Sequence, residues 1–214
     1  MKVKNCYIFD IDGTLLDSKR EIINCLNFVL NEFGKQAICF ENENSYIGPS
    51  VKESFIKFHN FSESEANEAA SMYRKYYVER YLGKSSLYPK VYDTLENLKI
   101  NNILCIASMK TEIQVKKFLN LFNLKKFFFI VKNASFDGTY TKSQMCNDIK
   151  SELNFNCNSF SLIGDTHGDF IASQNSHINF IFASYGYGGR TSTSSSIRTI
   201  NNISEIQYIK RYRA

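Results

Sequence analysis

The apolar run that closes on Tyr7-Ile8-Phe9 stops abruptly in two acids, Asp10 and Asp12, followed by Gly13-Thr14. A continuous run of this kind, from Val3 to Phe9, suits a strand buried on both faces, as a central strand of a parallel sheet is. Two carboxylates at its carboxyl end add nothing to that burial. In an open α/β sheet, ligands sit beyond the carboxyl ends of the strands. The stretch therefore reads as a strand that delivers two aspartates into a site. A calcium loop also begins with acids at its first and third positions, and Glu21 stands twelfth, but its sixth position must be glycine and here is Leu15.

The rest of the chain supplies the sheet that such a strand requires. Apolar residues at Ile22, Ile23, Leu26, Val29, Leu30 and Phe33 have helical spacing over 21–33, with Gly34 as a stop. Residues 51–59 and 63–81 continue as helices, the second capped by Ser62 with Glu65 three residues on. Tyr73, Tyr76, Tyr77 and Tyr81 in that stretch read as helix packing. Gly83-Lys84-Ser85-Ser86 reads as a boundary. Strands follow at 103–107, 127–131, 160–163 and 179–183, alternating with helices at 91–98, 111–121, 142–153 and 170–174. Gly186 to Gly189 and the Ser/Thr-rich 191–196 read as loops. This alternation predicts a parallel sheet with helices on both faces. The expected organisation is an α/β core of residues 1–17 and 86–214, with a helical unit of residues 18–85 inserted after the first strand.

Composition narrows the function classes. The 214 residues carry a net charge of +5 with no dense basic stripe, which argues against a nucleic-acid polymer as partner. The short basic end at 210–213 reads as a solvated terminus. No apolar run reaches the length of a membrane span. The six cysteines have no CxxC spacing, and Cys6 and Cys105 lie in apolar runs where a free thiol packs as a small hydrophobe. With Met1-Lys2-Val3-Lys4 leading straight into the strand, a reduced, cytoplasmic protein is expected.

Polar residues recur where the apolar strands end: Asp10 and Asp12, then Ser108, then Asp165 with Asp169. A cluster of hard carboxylate oxygens suits Mg²⁺, the usual partner of a phosphoryl group. A carboxylate can act as the nucleophile in phosphoryl transfer, and a second one two residues on can carry the leaving-group proton. Ser108 and Lys142, which opens a helix after the Gly138 turn, are candidates to hold phosphoryl oxygens. Taken singly, Asp165 and Asp169 also suit turn and cap positions, Ser108 a helix N-cap, and His167 a loop. Their joint occurrence and order carry the reading.

Those residues resemble the motifs of the haloacid dehalogenase superfamily over essentially the whole chain. Asp10-Ile11-Asp12-Gly13-Thr14 resembles its first motif and Ser108 its second. Lys142 resembles the third-motif lysine, with Ser143 where a proline is usual. Gly164-Asp165-Thr166-His167-Gly168-Asp169 resembles the fourth. The helical insert is similar to the cap of the phosphoglycolate phosphatase-like subgroup, as are Ile47 to Phe55 and Tyr185 to Gly188, stretches shared with 5′-nucleotidases. The resemblance implies a Rossmann-like core and a phosphatase working through an aspartyl-phosphate, with Asp10 as nucleophile and Asp12 as acid and base. It implies Mg²⁺ held by Asp10, Asp12, Asp165 and Asp169, with Asp12 lending its backbone carbonyl. Gly13, Thr14, Ser108, Met109 and Lys142 would contact a small phosphorylated metabolite. Lys52 would choose among substrates, while Arg20 and Arg74 read as surface charges. The cap would hinge near Asp17–Ser18 and Ser85–Leu87, in a monomer or homodimer. Asp12 argues against dehalogenation, which needs no leaving-group proton. A pyrophosphatase, a 5′-nucleotidase or a sugar phosphomutase would keep all four motifs. A non-enzymatic binding protein would be expected to have lost one.

Overall fold

The structure is a computed structural model that describes residues 4–135, 139–153, 157–188 and 197–209. Val3, the Gly138 turn, Gly189, the 191–196 loop and the basic end at 210–213 lie outside the described residues. In chain order the elements are β1 (Lys4–Phe9), β2 (Leu16–Asp17), α1 (Lys19–Glu32), α2 (Val51–His59), α3 (Glu63–Tyr76), β3 (Ser86–Leu87), α4 (Val91–Lys99), β4 (Asn102–Thr111) and α5 (Glu112–Leu121). Then come β5 (Ile130–Ala134), α6 (Lys142–Leu153), β6 (Cys157–Gly164), α7 (His167–Asn175), β7 (Asn179–Ala183) and β8 (Arg198–Ile200).

Six strands form one parallel sheet in the order β5-β4-β1-β6-β7-β8. β1 lies between β4 and β6, with Phe9 opposite Ile106 on one side and Ile163 on the other. Its side chains alternate between two cores, as the period of a strand demands. Tyr7 and Phe9 enter the core covered by α4 and α5. Cys6 and Ile8 enter the one covered by α6 and α7. Each buried apolar side chain contributes about 1.5–3 kcal/mol, which offsets the cost of holding carboxylates at the strand's end. All six cysteines are free, and Cys6 and Cys105 pack in the second core.

Helices α1, α2 and α3 fall between β1 and β4 in the chain. They are reached through an antiparallel two-stranded ribbon in which Leu16 pairs with Leu87 and Asp17 with Ser86. Capping boxes start α2 (Ser50 with Glu53) and α3 (Ser62 with Glu65), each satisfying orphan N–H groups for about 1 kcal/mol. After α3 the chain passes into a π-helical turn at Tyr77–Tyr81. Tyr73 and Tyr77 are buried and stacked, ring centroids 5.4 Å apart, and Tyr76 meets Phe28 edge-on. No helix among the described residues is long and apolar enough to cross a membrane.

The structure departs from expectation at four places. The helix expected over 63–81 ends at Tyr76, where the π-helical turn takes over. The strand expected at 127–131 lies at Ile130–Ala134 instead. Lys125–Phe127 forms a 3-10 turn, Phe127 is buried and Phe129 is 75% exposed. The aromatic run marks a turn that pins its first ring in the core, while the strand itself is a half-exposed edge with little apolar signal. A sixth strand, β8, and the ribbon β2–β3 were not expected, being only two or three residues long. A 3-10 stretch at Phe40–Tyr46 was not expected either.

Candidate active site

Asp10 continues β1 past its last residue, its N–H donating to the Ile163 carbonyl at 2.9 Å. The chain then turns tightly: the Ile11 carbonyl accepts from the N–H groups of Thr14, Leu15 and Leu16. Gly13 makes this possible in two ways. Its φ is +78°, a conformation that side chains disfavour. A Cβ there would also lie 2.1 Å from Asp165 Oδ2. Asp165 follows β6 directly, and Asp169 sits in the first turn of α7. There Thr166 and Asp169 form a reciprocal capping box.

Three carboxylates therefore converge. One oxygen from each of Asp10, Asp165 and Asp169 lies within 4.8 Å of the others. Asp10 is 6% exposed and the other two are fully buried. Lys142, the first residue of α6, reaches Asp10 Oδ1 at 2.7 Å and Asp169 Oδ1 at 2.5 Å. Burial alone would discharge this ammonium, but the two acids hold it above the ordinary lysine range. Asp10 is raised to about 7 by burial first, with Asp169 and Asp12 adding to the rise and Lys142 opposing it. Asp165 is held well above the carboxylate range by burial and then by Asp169 and Asp10, against the Tyr187 N–H that donates to it at 2.7 Å. One ammonium does not balance three buried carboxylates. The donor set, all hard oxygens, fits a divalent cation such as Mg²⁺.

Asp12 lies apart from that cluster and has its own cation. Lys110 Nζ is 3.0 Å from Asp12 Oδ2, and the Ser18 hydroxyl donates to Asp12 Oδ1. Asp10, Asp12, Lys142, Met109 and Lys110 line one cavity of about 100 Å³, roofed by Tyr46 to Val51, Tyr73 and Arg74. Gly48 of that roof approaches Thr166 of the core.

The remaining expected residues take different places. Ser108 is buried within β4, three residues before its last, and its Oγ accepts the Lys110 N–H at 3.2 Å. Thr14 turns inward, its hydroxyl 3.4 Å from Asp165 Oδ1, and Gly13 packs against the same carboxylate. Both support the cluster and neither lines the cavity. Lys52 does not line it either: its ammonium pairs with Glu63 at 2.6 Å. Arg74, expected on the surface, is half-buried and faces the cavity.

Sequence reasoning gave Lys110 no role, read Tyr77 as helix packing and met Tyr187 only within the Tyr185–Gly188 stretch. Lys110 carried a signal, because it stands two residues after Ser108 and in a strand shares its face. Tyr187 ties the site to the ribbon. Its hydroxyl accepts from the N–H groups of Ser18 and Lys19 at 2.5 and 3.0 Å and donates to Asp17 Oδ1 at 2.9 Å. Tyr185 donates to the Thr14 carbonyl at 2.9 Å.

The chain is similar to known proteins. A phosphoglycolate phosphatase of Aquifex aeolicus is 29% identical over 182 residues, 84% of this chain and 84% of that protein. A 5′-nucleotidase of Pseudomonas aeruginosa is 24% identical over 183 residues, 85% and 83% of the two chains. The crystal structure of a predicted phosphatase from Clostridium acetobutylicum superposes with a TM-score of 0.87 at 28% identity, covering 96% of this chain and 97% of that one. Residues 7–183 match the family model of the haloacid dehalogenase-like hydrolases, and the chain belongs to that family.

Proposed function

We propose that the protein is a magnesium-dependent phosphatase that hydrolyses a small phosphomonoester through a phosphorylated Asp10. The observation that carries this reading is the cluster Asp10–Asp165–Asp169 bridged by Lys142, with Asp12 separately held at the same cavity. Asp10, Asp165 and Asp169, with the backbone carbonyl of Asp12, would hold Mg²⁺. When bound, the ion offsets charge on the phosphoryl group. An Asp10 oxygen attacks phosphorus and the ester P–O bond breaks. Asp12 gives its proton to the departing oxygen, so the alcohol leaves neutral. Asp12 then takes a proton from water as that water attacks the phosphorylated Asp10. The bond between phosphorus and Asp10 breaks and inorganic phosphate is freed. Lys142 and the Ser108 hydroxyl hold phosphoryl oxygens through both steps. Residues 18–85 act as the cap over a core of residues 1–17 and 86–214, and exclude water when seated.

The cavity beside Asp10, Asp12 and Lys142 suits a small phosphorylated substrate. Arg74 in the roof suits a second anionic group on that substrate, the chemistry of phosphoglycolate. Pyrophosphate shares the second anion and is the alternative; a 5′-nucleotidase or a sugar phosphomutase is the further reading that the same panel tests. The test is Mg²⁺-dependent phosphate release across a panel of these esters, ranked by kcat/KM. Asp10→Asn is expected to abolish turnover while the fold persists. Wild-type protein inert toward the whole panel, or full activity in Asp10→Asn, refutes the reading.

A further inference from the structure

We infer that Lys110 is the positioning residue for the proton carrier Asp12, and that Tyr77 makes this positioning depend on a seated cap. The inference rests on the role given to Asp12 above. Lys110 lies near the carboxyl end of β4 and is 5% exposed. Its ammonium meets Asp12 Oδ2 at 3.0 Å and the Tyr77 hydroxyl at 3.2 Å, and sits 4.4 Å from the centre of the Tyr77 ring. A buried ammonium needs partners on its own protons, and here they come from two parts of the chain. Asp12 belongs to the core loop after β1. Tyr77 opens the π-helical turn that follows α3.

Asp12 is held from both sides. Lys110 takes Oδ2 and the Ser18 hydroxyl takes Oδ1, so the carboxyl group has one orientation rather than a range. Proton transfer demands that. The carrier must stand within hydrogen-bond reach of the departing oxygen, and a misplacement of ~1 Å costs about 100-fold in rate. Two of the groups that set this orientation, Tyr77 and Ser18, lie in the 18–85 segment. Tyr77 itself is fixed by stacking on Tyr73, which lines the same cavity. Inserted turns of this π-helical type concentrate at functional sites. Displacing the segment about its hinge at Ser18 withdraws the Tyr77 hydroxyl from Lys110, while Ser18 stays tied to Tyr187 of the core. The Lys110 ammonium then keeps Asp12 as its partner and loses the group that aims it at Oδ2.

The test compares leaving groups. An alkyl phosphate needs a proton on its departing oxygen, whereas 2,4-dinitrophenyl phosphate releases a stable phenolate that needs none. Lys110→Met is expected to lower kcat/KM for the alkyl ester about 100-fold more than for the dinitrophenyl ester, mostly through kcat. Lys110→Arg is expected to restore part of the loss. Tyr77→Phe, which deletes one oxygen and keeps the stacked ring, is expected to show the same preference at smaller size. It decides the matter even where Lys110→Met fails to fold. Equal losses on both esters would mean a merely structural role and would overturn the inference, as would no loss on either. Wild-type protein that cleaves neither ester overturns the phosphatase reading, and this inference with it.

Discussion

Gly13→Ala separates the backbone demand of the first loop from its chemical demand. The glycine has φ +78°, and its added Cβ would stand 2.1 Å from Asp165 Oδ2, where ordinary contact begins near 3.4 Å. The backbone part is modest: alanine in the left-handed region costs about 1–2 kcal/mol. About 0.4–1 kcal/mol of that returns through a stiffer unfolded chain. A net loss near 1 kcal/mol lowers Tm by about 2–4 °C in a domain of this size. The chemical part is larger. Asp165 must retreat by about 1.3 Å, and displacements of ~1 Å at a reacting centre cost about 100-fold. Gly34 supplies the control, because it has φ +64° with nothing within 4 Å of an added Cβ. Gly34→Ala is expected to lose comparable Tm and no activity. The assays are a thermal melt followed by circular dichroism and aryl phosphate hydrolysis at saturating Mg²⁺. The melt is repeated with and without Mg²⁺, since a ligand bound only by the folded state raises Tm. Gly13→Ala should lose about 100-fold in kcat and most of its Mg²⁺-dependent rise in Tm. Activity within about 3-fold of wild type would show that the approach to Asp165 does not hold the carboxylate in place.

Arg74→Ala is expected to raise KM about 10-fold or more for an acid-bearing phosphomonoester, the loss of a single charge-assisted contact. Its effect on an uncharged aryl phosphate should be slight, as steady-state kinetics on both esters would show. Tyr187→Phe removes the hydroxyl that accepts from Ser18 and Lys19 and should cost about 1–3 kcal/mol by leaving buried N–H groups unsatisfied. Denaturant melts measure that loss.

The chemical order of the site was legible because parallel α/β topology sends the end of every strand to one edge. Asp10, Ser108 and Asp165 could be placed there from strand endings alone. Partners set by packing across the chain could not. Arg74 reads as one more charge on a polar helix until the fold turns its face toward the cavity. Lys52 stands beside the loop that roofs the cavity, yet Glu63 at the start of α3 takes its ammonium. The helices 51–59 and 142–153 appeared at their observed limits, since amphipathic spacing and capping are local. The edge strand β5 did not, because its half-exposed residues leave little alternation to read and the phenylalanines before it form a turn.

The proposed roles ask different work of two acids two residues apart, and the structure gives each its own lysine. Asp10 shares Lys142 with Asp169 in a buried cluster that excess negative charge fits to a cation. Asp12, turned out of that cluster by the loop at Gly13, has Lys110 and Ser18 and faces the same cavity. Swapping these surroundings would defeat the proton carrier. Under the proposed roles, a carboxyl lodged among Asp165 and Asp169 would be unable to follow the departing oxygen. On the proposed division into core and cap, an insert beginning at Ser18 would reach Asp12 within one turn of the backbone, while Lys142, Asp165 and Asp169 would stay on core elements.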